Sequence, residues 1–114
     1  MIVLPFPPAS LSGHNNGHHY GKAPIIAKHR TWARVATLAA KPSVPAEGDI
    51  RLHIHFVPPD RRGDRTNYWN RCKPYIDGIA EALGVNDRRF LPSKSFAAPE
   101  APGRVEVTFP RVVG

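Results

Sequence analysis

Thirteen of the 114 residues are proline, and their placement constrains the fold more than any other feature. Proline lacks a backbone N–H and locks φ, so it is kept out of central strands and of helix interiors beyond the first turn. The chain is thereby cut into short segments. Pro5, Pro7 and Pro8 follow a start in which Ile2, Leu4 and Phe6 alternate, which predicts a short edge strand over Ile2–Pro5. Ala9 to Lys22 is polar, holds Gly13, Gly17 and Gly21 beside His14, His18 and His19, and reads as a loop. Pro24 suits a first helical turn. From there to about Ala40, Trp32, Val35, Ala36 and Ala39 recur at helical spacing, leaving Lys28, Thr31 and Arg34 on a polar side. Lys41-Pro42 stops this helix, and Pro42 to Gly48 is a connector.

Ile50 to Val57 is the clearest strand. Ile50, Leu52, Ile54 and Phe56 point one way while Arg51, His53 and His55 point the other. It ends at Pro58-Pro59. A helix is predicted from about Thr66 to Leu83, with Thr66 as N-cap and Gly84 as C-terminal stop. Tyr68, Cys72, Tyr75, Ile76, Ile79 and Leu83 share one face of it. Pro74 lies inside this span and predicts either a kink or a helix that starts late. Val85 to Phe90 is a turn leading to a short strand near Leu91–Phe96. Arg104 to Phe109 alternates again, with Val105, Val107 and Phe109 inward. The order β–α–β–α–β–β predicts an α/β chain of α+β character: one domain over residues 1–114, a small mixed sheet with two main helices packed on it.

Apolar residues are 41% and charged residues 22% of the chain, which is globular composition. No apolar run reaches the ~18 residues of a membrane span, and the start lacks a charged segment followed by an apolar stretch. A lone cysteine, Cys72, excludes an internal disulfide and a multi-cysteine zinc site, and suits the reducing cytoplasm. Sixteen Lys and Arg against nine Asp and Glu give +7, which favours a polyanionic partner, nucleic acid first.

The chemistry concentrates between Asp60 and Lys94, where Arg61, Arg62, Arg65, Arg71, Lys73, Arg88, Arg89 and Lys94 surround Asp60, Asp64, Asp77 and Asp87. Carboxylates among arginines form ion pairs, or they hold a divalent cation on a phosphate-binding surface. Phosphodiester cleavage needs the second arrangement: a hard cation on carboxylate oxygens, and positive charge for the transition state.

Arg62-Gly63-Asp64-Arg65-Thr66-Asn67, followed by Lys73, Asp77 and Gly84-Val85-Asn86-Asp87, resembles the signature of the RusA-type endodeoxyribonucleases, the crossover-junction resolvases common in prophages. In that likeness Asp64 matches the first motif Asp, Asn67 the Asn, Lys73 the helical Lys, Asp77 the helical Asp, and Asp87 the catalytic Asp of the turn. The opening Pro-Phe-Pro-Pro, the strand ending Phe56-Val57-Pro58-Pro59 and the closing Gly103-Arg104-Val105-Glu106-Val107 resemble the family as well, so the likeness covers nearly the whole chain. Two positions depart from it: Thr66 stands at the second motif Asp, and Asn86 at the first acid of the turn.

The resemblance implies a homodimer that cuts four-way DNA junctions in recombination and repair, using Mg²⁺ or Mn²⁺. Asp64 and Asp87 would hold the metal, with Thr66 either a weak third ligand or a pure helix cap. Lys73 would stabilise charge on the scissile phosphate. Asn67 would fix the Asp64 loop and Asp77 would orient Lys73, or simply pair with it one turn away. Arg61, Arg62, Arg65, Arg71, Arg88 and Arg89 would bind DNA phosphates. The alternative is a protein of the same fold that holds branched DNA without cutting, because Thr66 has cost it a ligand. His53 and His55 share a strand face, expected to lie under a helix or a second subunit rather than on zinc. The His14, His18 and His19 loop is expected beside DNA. Trp32 and Trp69 are read first as core anchors, and Cys72 as an inert small hydrophobe.

Overall fold

The computed structural model describes residues 1–11 and 19–111. Strand β1 (Ile2–Pro5) leads through a 3-10 turn at Ala9–Leu11 and on to helix α1 (His19–Ala40). Strand β2 (Ile50–Val57), helix α2 (Arg65–Asn70) and helix α3 (Lys73–Leu83) come next. A 3-10 turn at Asp87–Arg89, strand β3 (Phe90–Phe96) and strand β4 (Arg104–Thr108) complete the order. The sheet runs β1-β4-β2-β3. Its β2–β3 pair is parallel, and the other two pairs are antiparallel. This is the mixed four-stranded α+β architecture that the alternation predicts, with Pro5 on an edge strand as its missing N–H requires.

Register sorts the two faces of the sheet. Ile54 pairs with Val107, which also faces Ile2, and Phe56 pairs with Val105, which faces Leu4. These side chains are all buried, together with Ile50 and Leu52. All but Ile50 form one core with Ala33 of α1, Tyr68 of α2, Cys72 of the α2–α3 turn, and Tyr75 and Ile79 of α3. Phe109 lies one residue beyond β4 but packs against the same core. Helix α3 lies so close to α1 that a Cβ at Gly78 would overlap the Arg30 carbonyl oxygen. Arg30 Nη2 reaches Glu81 at 2.9 Å across the same junction.

Two expectations are corrected. Helix α1 begins at His19 rather than Pro24, so Pro24 lies inside it. The proline removes one N–H from the ladder yet leaves the turns on both sides helical. The span from Thr66 to Leu83 is two helices, because Pro74 occupies the first turn of α3 and the chain breaks at Arg71–Cys72. Of the two covers expected for the face carrying His53 and His55, the described residues supply no helix, which leaves the second subunit. On that face Ser93 Oγ lies 2.6 Å from His53 Nδ1, and Ser95 Oγ sits 2.8 Å from His53 Nε2 and 2.6 Å from His55 Nδ1. His14 and His18 lie outside the described residues.

Candidate functional site

The chain leaves β2 at Pro58-Pro59 and makes two polar turns before α2. Asp60 Oδ1 accepts the Arg62 N–H at 2.9 Å. Gly63 follows at φ +100, where a side chain is disfavoured, and a Cβ there would stand 3.1 Å from the Tyr68 ring. Asp64, not Thr66, is the N-cap of α2: its Oδ1 accepts the Thr66 N–H at 3.0 Å and the Thr66 hydroxyl at 2.8 Å. Both bonds favour the ionised form and hold the Asp64 carboxyl below its ordinary value. The Thr66 hydroxyl is thus a donor to its own motif partner. Asn67 supports the turn through its backbone N–H on the Asp64 carbonyl, at 2.9 Å.

Lys73 opens α3, and its side chain climbs one turn to Asp77, placing Nζ 2.9 Å from Oδ1. The same Nζ lies 2.8 Å from Oδ2 of Asp87. What returns Asp87 to this point is the path after α3. Gly84 ends the helix in the left-handed region at φ 66, and Asn86 Oδ1 caps the next turn by accepting the Arg88 N–H at 2.9 Å. Hydrogen bonds donated to Asp87 and Asp77 raise the Lys73 pKa, and the Lys73 ammonium lowers that of Asp87. The Lys73 and Asp87 charges are therefore on at neutral pH, in a cluster open to solvent.

The structure brings Lys73, Asp77 and Asp87 together. Asp64 and Thr66 are bonded to each other at the start of α2. Among the described residues, no three His, Cys, Asp or Glu side chains converge to hold an ion. Asp77 and Asp87 still fit a divalent cation in kind. Mg²⁺ is commonly bound by one or two carboxylates, with water and substrate phosphate completing its shell, and each of these two engages Lys73 through one oxygen.

The arginines divide. Arg71 turns inward, with its guanidinium over the Tyr68 ring, Nη1 donating to the Pro7 carbonyl and Nε buried. It braces the α2 turn. Arg89 donates to the carbonyls of Pro45 and Gly48, both at 2.8 Å, and so ties down the connector. Arg61, Arg62, Arg65 and Arg88 are exposed, and none pairs with a carboxylate among the described residues. Cys72 is buried and its thiol pKa is pushed up to about 12, so it is inert at neutral pH.

Trp69 packs against the core, as expected of an anchor, and Lys94 comes up beside it. Trp69 is half-buried rather than enclosed, and Lys94 Nζ stands 5.8 Å from its ring centroid. A basic residue at an inward position of β3, opposite Ile54, was the available signal for this contact. Among the described residues no helix is long and apolar enough to cross a membrane. No protein-family model matches the chain. A Xylella fastidiosa (strain Temecula1) protein described as uncharacterized is 39% identical over 94 residues, covering 79% of this chain. The chain spans 61% of that relative's length.

Proposed function

We propose that this chain is a metal-dependent, structure-selective DNA endonuclease of the RusA type. It would resolve four-way junctions as a homodimer in the cytoplasm, in recombination and repair. The observation that carries the reading is Lys73 Nζ seated between Asp77 and Asp87, residues the resemblance assigns to one site and the fold brings within 2.9 Å of one ammonium. Asp87, with Asp77 or Asp64, would hold a Mg²⁺ or Mn²⁺ ion, which would supply activation of water and polarisation of a phosphoryl oxygen. The chain's own residues do the rest. Lys73 stays protonated because its pKa is raised, so it acts as a charge stabiliser and not as a base. An ammonium has three donors, so Lys73 can keep one carboxylate while turning another N–H to a phosphate oxygen. Asp87 stays ionised, so it serves as an acceptor and not as a proton donor. Arg61, Arg62, Arg65 and Arg88 neutralise flanking phosphates without reading sequence.

One observation favours a second reading, a branched-DNA-binding protein that does not cut. Thr66 spends its hydroxyl on Asp64, and among the described residues no third carboxylate joins Asp77 and Asp87. A nicking assay on a synthetic four-way junction, with Mg²⁺ and then Mn²⁺, separates the two. Cleavage should be symmetric across the junction. Asp87→Asn should reduce it by at least ~100-fold, the scale of losing a key electrostatic group, with junction binding unchanged or tightened. Junction binding without product in either metal establishes the second reading. Equal affinity for linear duplex and junction removes both.

A further inference from the structure

Beside the Lys73 cluster lies a cleft of about 480 Å³ between α1 and the α2–α3 turn. Its apolar wall is made by Leu11, Ile26, Trp69 and Ile76, and its rim by Asn70, Lys73 and Asp77. Ile26 remains 41% exposed there. On the far side of Trp69 is a second depression of about 210 Å³, lined by Pro92, Ser93 and Lys94. Trp69 is therefore a ridge between two hollows, with Lys94 on one flank and Lys73 on the other.

We infer that this cleft is a subsite for one unpaired nucleotide, the base stacked on Trp69 and its phosphate held by Lys73. The inference rests on the reading that the chain handles DNA, and it specifies which part of the DNA. Three features point to a nucleobase. An indole wall offers a flat π-face, and aromatics set in a basic path are the recurring means of holding single strands. The Asn70 amide on the rim presents a donor and an acceptor side by side, the pattern that meets a base edge. The volume lies in the range of small-ligand clefts. A stacked, paired base cannot reach a recess of this kind, so the nucleotide must come from a strand that is locally open, as at a branch point. The subsite adjoins Lys73, so a base seated there places its own phosphate at the Lys73–Asp77–Asp87 cluster. Trp69 is thus a positioning residue: it would set which phosphate is presented.

The test uses a single-stranded dT8 oligomer and an eight-unit abasic deoxyribose-phosphate oligomer of equal charge. Binding is followed by anisotropy at low salt. The chain has two tryptophans, so Trp32→Phe leaves Trp69 as the sole indole and its emission as a direct reporter. The expected result is ~10-fold tighter binding of dT8 than of the abasic oligomer, with quenching of Trp69 by dT8 alone. Trp69→Leu, checked for fold by circular dichroism, should bring the two affinities within ~2-fold, while Trp69→Phe should keep most of the preference. Equal affinities in the parent chain, or a preference that survives in Trp69→Leu, overturn the subsite. Junction cleavage by the same preparations keeps the two claims apart. Cleavage without base preference sinks the subsite and leaves the nuclease standing; base preference without cleavage does the reverse.

Discussion

Replacing Gly78 with alanine sets two effects of opposite sign against each other. Alanine is better than glycine in a helix interior by ~1 kcal/mol, so α3 taken alone would gain. In the folded protein, the new Cβ would overlap the Arg30 carbonyl oxygen and stand 3.1 Å from the Cβ of Ala33. The carbonyl is held in the α1 backbone and Ala33 is fully buried, so neither can turn aside as a flexible side chain would. The two helices must part, carrying with them the tilted contact of His29 on Tyr75 and the Arg30–Glu81 pair. Overpacking of this kind costs ~1–3 kcal/mol. A backbone obstacle puts it at about 3 kcal/mol, near the upper end. Set against the propensity gain, the net loss is about 2 kcal/mol. For a domain of this length that corresponds to a Tm lower by ~10 °C. Urea and thermal unfolding of both chains read it directly. Because α3 carries Lys73 and Asp77, the variant should also lose part of any junction cleavage. A Gly78→Ala chain as stable as its parent, or more so, would mean that α1 and α3 do not approach this closely.

Arg61→Ala with Arg62→Ala should weaken junction and duplex binding alike and flatten the slope of log K against log salt by ~1.8, since each neutralised phosphate on duplex DNA releases ~0.9 counterion; an unchanged slope places these arginines off the DNA. Asp64 titrates below its ordinary value in the folded chain, so its stabilisation is present above the unfolded pKa and lost as pH falls through the lowered one. Asparagine caps a helix about as well as aspartate, so Asp64→Asn should match the parent near pH 7 and lose less urea midpoint between pH 4 and pH 2. Equal acid sensitivity would refute the assignment. Thr66→Asp exchanges a donor on Asp64 for a second carboxylate beside it. Junction cleavage should therefore rise more at low Mg²⁺ than at saturating Mg²⁺, because added ligand charge matters only while the site is partly empty. A flat or falling response at every Mg²⁺ concentration counts against a cation at Asp64.

Much of the candidate site was legible because its anchors are local. Gly84 as a helix stop depends on residues a few positions away, and the Lys73–Asp77 pair on one helical turn. Even there the sequence misassigned the cap of α2. Asp64 and Thr66 are both good capping residues two positions apart, and only the extended backbone of Asp64 decides between them. The Lys73–Asp87 contact spans fourteen positions, and no periodicity encodes it. The inward turn of Arg71 was equally hidden, because an arginine in a basic run reads as exposed until the Tyr68 ring and the Pro7 carbonyl are placed around it.

What the sequence determined by itself was the order of the elements, the edge position of β1 and the buried faces of β2 and β4. Proline and alternating hydrophobicity act within a single element, through a missing N–H and a two-residue side-chain period. What only the tertiary structure decided was which separate elements meet. It set the parallel register of β3 on β2, and the close crossing of α1 and α3 at Gly78. It also decided the return of Asp87 to Lys73 and the half-exposed ridge of Trp69. These are packing outcomes between residues far apart in the chain, and they follow from burying one shared core.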